Sequence, residues 1–267
     1  MMSVYTKEKM SGLVKWVFTL PLTYIIYYAF SLLIPQAGTV SLILRYAVMI
    51  GIFLFLSTRF LSFDWHRYLR CNYPQSRFSW KKLFAGMALM FFILSALSFI
   101  RMLIYPAAFS VTFDVTKAAD TIAPVILVAV AALSEELMFR GFVAFFAGRE
   151  AVQSILCCLS SGLLFALAHF QNPEVSEMGI MSMLFYFVFG ALLMFIYLKD
   201  GGIEFALGIH IGNNLVPALL VTYPGAVIST NAVFTAPQSL IEDFIACAVV
   251  FVIFFISGRK AHSQECI

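Results

Sequence analysis

Three short patterns set ionisable and amide side chains inside otherwise apolar sequence. The first is Ser134-Glu135-Glu136-Leu137-Met138-Phe139-Arg140, flanked by Ile126–Leu133 and Gly141–Ala147. The second ends an apolar run as Phe165-Ala166-Leu167-Ala168-His169, and the third reads His210-Ile211-Gly212-Asn213-Asn214. On a helix Glu136 and Arg140 are i,i+4 neighbours and can pair, while Glu135 points about 100° away from Glu136. One carboxylate is then neutralised and the other is free for different work. Low dielectric disfavours the charged form of a carboxylate, which suits it to general base and acid chemistry. Glu135 with His169 can hold a water between them and remove its proton. His210 and Asn214 share one helical face and can donate hydrogen bonds to an oxyanion developing on an amide carbonyl. Peptide-bond hydrolysis needs these parts. No serine or cysteine has an evident base beside it in sequence, although Cys158, Ser160 and Ser161 are formal nucleophiles.

A metal is the competing chemistry, because two His and a Glu are the ligand set of some zinc hydrolases. No histidine is followed by Glu, so the one-helix H-E-x-x-H arrangement does not occur. A His/His/Glu site assembled across helices stays open. The expectation is a site with no cofactor and no resident metal, with zinc as the lesser alternative.

The elements that must carry these residues are set by composition. Of 267 residues 62% are hydrophobic and 12% charged, with a mean hydropathy of +0.94; an ordinary soluble domain is about 45–50% apolar and about 25% charged. Disorder, a disulfide-framed secreted module and a nucleic-acid-binding protein are therefore excluded as readings. The chain's solvent is the lipid bilayer. Apolar runs near 13–34, 40–57, 83–105, 121–147, 152–170, 179–198, 203–221 and 239–257 read as membrane helices at about 20 residues per span. The expected fold is all-α, a polytopic bundle of about eight transmembrane helices. It divides into residues 1–120 with three helices, a core at 121–221, and a last helix and tail at 222–267, all in one membrane domain. The run Trp16–Ile34 is too long for a signal-peptide h-region of about 7–15 residues and reads as a retained helix.

Basic residues set the orientation. With the N-terminus inside, the inner segments 1–12, 58–82, 148–151, 199–202 and 258–267 carry most of the Lys and Arg, whereas the outer loops 35–39, 106–120, 171–178 and 222–238 carry Lys117 alone. Both termini are then expected in the cytoplasm, in a multi-pass cell-membrane protein. The stretch Thr58–Lys82 mixes Phe60, Trp65 and Tyr68 with Arg59, Arg67, Arg70, Arg77, Lys81 and Lys82, a surface-lying amphipathic pattern that points to a cytoplasmic opening of the site. Lys15, Arg45 and Arg101 lie near span ends, where long side chains snorkel. Asp114 and Asp120 are expected to cap or precede the fourth helix, and Glu242 and Asp243 to favour the N-terminus of the last. Gly208 and Gly212 form a G-x-x-x-G pair that lets a neighbouring backbone approach.

In order and spacing, Glu135-Glu136-x-x-x-Arg140, Phe165-x-x-x-His169 and His210-x-x-x-Asn214 resemble the three motifs of the CAAX protease and bacteriocin-processing (CPBP, or Abi) family. That family includes Ras-converting-enzyme-type CAAX prenyl proteases and lysostaphin-resistance-protein-like bacterial members. The resemblance covers about Thr121 to Leu220 and implies an eight-helix intramembrane glutamic endopeptidase. It implies Glu135 as the water-activating carboxylate with His169 as partner, Glu136 and Arg140 as organisers, His210 and Asn214 as the oxyanion-stabilising pair, and Phe165 packed one turn from His169. The family has been described both as metal-independent and as metalloproteases. The implied partner is a membrane-associated peptide or protein substrate, and the short loops suggest a bacterial member.

Two other classes account for buried polar groups in a membrane. A non-catalytic scaffold, such as a bacteriocin-immunity protein, binds without cutting. A proton-coupled transporter also uses intramembrane Glu, His and Arg, but the chain shows no repeat between its halves and few Pro or Gly breaks within its spans.

Overall fold

A computed structural model describes residues 22–23, 25–30, 32–34, 38–61, 69, 77–141, 151–228 and 230–256. The elements are α1 (Thr39–Leu61), α2 (Trp80–Ile104), α3 (Ile122–Glu136), α4 (Ala151–Ala168), α5 (Pro173–Met178), α6 (Ile180–Asp200), α7 (Glu204–Leu219) and α8 (Leu240–Ile256). The strands are β1 (Ser110–Val111), β2 (Val221–Thr222) and β3 (Phe234–Thr235). Among the described residues four helical stretches, Thr39–Arg59, Trp80–Ile104, Val115–Arg140 and Ile180–Asp200, are long and apolar enough to cross a membrane. The protein is a mostly helical, multi-pass membrane protein. The runs expected at 152–170, 203–221 and 239–257 form the shorter helices α4, α7 and α8. Most of the first expected span, the middle of the basic segment apart from Leu69, the turn at 148–150 and the C-terminal tail lie outside the described residues.

Local sequence marks the helix ends. The Ser79 side chain accepts from the Lys82 N–H and starts α2, so Trp80–Lys82 belong to a helix rather than to the surface segment. Thr58–Leu61 likewise continue α1. Gly201, in the left-handed region at φ 74°, ends α6, where a residue with a Cβ would be strained. Asp114 caps a 3-10 turn, Val115–Thr121, that leads into α3.

The helices share a core running from Phe53 of α1 through Met90, Leu193, Tyr197 and Ile209 to Val250 of α8. The most extensive pairings are α2 along α7 and α4 along α6, with α3 wedged against α1 and α7. In lipid no hydrophobic force draws helices together, so close packing must do it. Here the G-x-x-x-G pair acts as expected: a Cβ on Gly208 would overlap the Leu83 carbonyl, and one on Gly212 the Met87 carbonyl.

A small sheet was not expected from the sequence. Its order is β1-β3-β2, with β1 antiparallel to β3 (Ser110 opposite Thr235) and β2 parallel to it (Val221 opposite Phe234). It ties the loop after α2 to the loops around α7 and α8. Backbone groups in these connections need partners, a requirement that two-residue pairings meet without any alternating pattern for sequence to show.

Because α7 carries His210 between its two close-contact glycines, its seat on α2 sets the position of that imidazole. Gly212→Val is expected to cost at least about 1–3 kcal/mol through overpacking, read as a lowered Tm in detergent. An unchanged Tm would contradict the backbone contact.

Candidate active site

The last turn of α3 gives way to a π turn over Leu137–Gly141, a widened helical geometry frequent at functional sites. Glu135 and Glu136 precede it and Arg140 lies inside it. Glu136 and Arg140 are completely buried, with Arg140 Nε 3.0 Å from Glu136 Oε2. The other Glu136 oxygen, Oε1, lies 2.8 Å from His210 Nδ1. Glu136 therefore bridges Arg140 on its own helix to His210 on α7. The guanidinium carbon also sits 5.1 Å from the centre of the Phe165 ring, within cation–π reach.

His169 stands just past the end of α4, and Phe165 holds it twice. Its Nδ1 donates to the Phe165 carbonyl oxygen at 2.7 Å. Its ring stacks between Phe165, 4.3 Å away, and Tyr186 of α6, 4.4 Å away. A carbonyl only accepts and the Glu136 carboxylate faces His210 as an acceptor, so both Nδ1 atoms carry hydrogen. The two Nε2 atoms therefore turn toward Glu135. Each lies 3.6 Å from Glu135 Oε2, too far for a direct hydrogen bond, and Oε2 has no hydrogen-bond partner among the described residues.

Counting helical rise from the inner turns would place His169, Glu135 and His210 at different depths. The structure instead brings all three to one level. The 18-residue α4 is only about 27 Å long, and His169 ends it beside Glu135. Asn214 lies one turn beyond His210 on α7 and lines the same cavity. Its Oδ1 accepts from Asn213 Nδ2 at 3.0 Å, which leaves the Asn214 Nδ2 as the donating edge. His210 is tied to Glu136 through Nδ1, and its Nε2 faces Glu135. Pro217 lies inside α7 and lacks an N–H, so the Asn213 carbonyl loses its intrahelical donor.

Glu135, His169, His210, Asn213 and Asn214 line a cavity of about 210 Å³. It extends to the loops holding Asn172, Glu174, Tyr223, Ile228 and Gln238. Away from this cavity, the Ile203 N–H donates to the Leu69 carbonyl and Lys82 pairs with Asp200 at 2.9 Å. The cavity lining comes from the end of α2 at Ser98 and Arg101, the end of α7 at Val216–Ala218 and the start of α8 at Glu242 and Asp243.

Several wall residues were not singled out from the sequence. Asn172 Nδ2 donates to Tyr186 Oη at 3.1 Å and Tyr223 Oη donates to Glu174 Oε1 at 2.7 Å. Burial, then the adjacent Glu174, pushes the Tyr223 phenol up from its ordinary value, which keeps it a neutral donor. Arg101, read as a snorkelling residue, is instead ion-paired to Glu242 and donates to the Pro237 carbonyl at 2.7 Å. Ser98 Oγ donates to the other Glu242 oxygen at 2.8 Å. The cue for Glu174 was its place in Asn172-Pro173-Glu174, a helix start three residues beyond His169.

Comparison with known proteins follows this geometry. Residues 117–216 match the family model described as type II CAAX prenyl endopeptidase Rce1-like. That segment of the chain is similar to the family. All six expected site residues fall inside the matched segment. The chain is also 28% identical over 200 residues to the uncharacterized protein YyaK of Bacillus subtilis (strain 168), covering 72% of this chain and 67% of that protein. No solved structure matches it. A metal bound at this site would draw on Glu135, His169 and His210; among the described residues no group of three or more His, Cys, Asp or Glu side chains is spaced as a ligand set.

Removing one partner of a buried ion pair leaves an uncompensated charge and costs about 3–5 kcal/mol. Arg140→Ala is therefore expected to lower the folded yield and Tm as well as any activity, measured by size-exclusion profile and thermal melting. Wild-type yield and melting for that variant would count against the pairing.

Proposed function

We propose that the protein is an intramembrane endopeptidase that hydrolyses a peptide bond of a membrane-associated peptide or protein with a water activated by Glu135 and His169. The observation that supports it most is the convergence of both imidazole Nε2 atoms on Glu135 Oε2 at the inner end of a cavity. A water beside these atoms can hydrogen-bond to the carboxylate and to the His169 lone pair together. Glu135 takes its proton as the oxygen attacks the scissile carbonyl carbon. The C=O electron pair moves onto oxygen, where Asn214 Nδ2 donates to it. As the C–N bond breaks, Glu135 returns the proton to the leaving amine, the reversal of role that general acid–base catalysis requires.

His210, held by Glu136 through Nδ1, turns Nε2 toward Glu135 and stands with Asn214 at the oxyanion side of the site. The substrate is expected to be a peptide precursor or membrane protein of a bacterial plasma membrane.

Comparative peptidomics of membranes containing wild-type and Glu135→Gln protein tests this reading. Loss of a general base lowers turnover by about 10²–10⁴-fold, so specific cleavage products are expected to vanish with Glu135→Gln and with His169→Ala while both proteins stay folded. Identical peptide profiles, or full biological activity of both variants, would favour a binding scaffold. Purified enzyme is further expected to keep its activity after chelator treatment and dialysis. Activity lost to chelator and regained only with zinc would replace the metal-free mechanism.

A further inference from the structure

Beyond the Glu135 centre, the cavity wall holds a second buried carboxyl group that the hydrolysis does not use. Glu174 lies in the first turn of α5 and is 4% exposed. Its Oε1 accepts from Tyr223 Oη, while Oε2 is buried with no hydrogen-bond partner among the described residues. The segment is anchored, because Ser182 Oγ donates to the Glu174 carbonyl at 2.9 Å. Arg101 is the cavity's lining Lys or Arg, and it is committed to Glu242 and the Pro237 carbonyl. Asp243 also lines this end.

A buried carboxylate without a cation or a full set of donors is costly, and a cation entering the cavity would relieve that cost. The surrounding wall includes Phe185, Val227 and Ile228. Such a wall suits a charged head on an apolar stem, as in Lys and Arg. We propose that Glu174, oriented by Tyr223, forms a subsite that receives a lysine or arginine side chain of the substrate peptide, on the loop side of the scissile bond, and so determines where the chain is cut. This inference rests on the endopeptidase reading. It places the substrate with its reacting carbonyl at Glu135 and its cationic residue toward the loops carrying Glu174 and Tyr223.

The test uses the full chain in detergent micelles and a positional-scanning library of membrane-partitioning peptides. Paired members differ only by Lys or norleucine at one position, and kcat/KM is read by mass spectrometry. At one position on a single side of the cleaved bond, wild type is expected to prefer Lys by about tenfold or more, the factor expected of a charge-assisted hydrogen bond. Glu174→Gln is expected to bring that ratio toward unity, mainly through KM, with Glu174→Asp recovering part of it. Two outcomes overturn the subsite: Glu135-dependent cleavage by wild type without a Lys preference at any position, or the same preference in Glu174→Gln. The wild-type scan decides without any variant, so a misfolded substitution does not obscure it. If wild type and Glu135→Gln give the same products, the endopeptidase reading falls and the subsite falls with it.

Discussion

The Glu136 carboxylate holds the architecture together. One oxygen meets Arg140 within the π turn and the other meets His210 on α7, all three deeply buried. Ionisable side chains in a membrane interior are tolerated only when paired or facing a polar cavity. The Glu136 bridge satisfies that condition for two charges and fixes a third group. By taking the His210 Nδ1 hydrogen, it directs the other ring nitrogen at Glu135. The stacked His169 is fixed in the same sense by the Phe165 carbonyl. Glu135 is thereby framed by two oriented imidazoles, each 3.6 Å from its Oε2.

This frame depends on close helix approach. The glycines of α7 let it lie against the backbone of α2, and α3 fits between α7 and α1. On the other side, Phe165 sits under both the Arg140 guanidinium and the His169 ring. One aromatic side chain thus couples the charge network of α3 to the imidazole of α4. The cavity that follows is lined by polar side chains such as Asn172, Asn214 and Tyr223 and by apolar ones such as Phe185 and Ile228.

Much of this was legible in the sequence because it depends on short-range helical geometry. The Glu136–Arg140 pair follows from i,i+4 spacing, the Phe165–His169 contact from one helical turn, and the close approach at Gly208 and Gly212 from their spacing. What depended on long-range assembly was not legible. The depth of His169 relative to Glu135 required knowing where α4 ends. The loop strands have no periodicity to read. Arg101 looked like an interfacial cation because its partner, Glu242, is far away in the chain, and nothing marked Glu174, whose Tyr223 partner lies beyond α7. The charge pattern of the loops suggested orientation, but only packing shows which bundle end the cavity reaches.

The central claim is that Glu136 and His210 act as one unit across two helices. A double-mutant cycle with Glu136→Gln and His210→Asn, read as unfolding free energy in mixed micelles, measures that coupling directly. Residues in one hydrogen-bonded network are expected to show an interaction energy of about 1 kcal/mol or more, whereas effects that add to within about 0.3–0.5 kcal/mol would show that the two side chains act independently and would contradict the account.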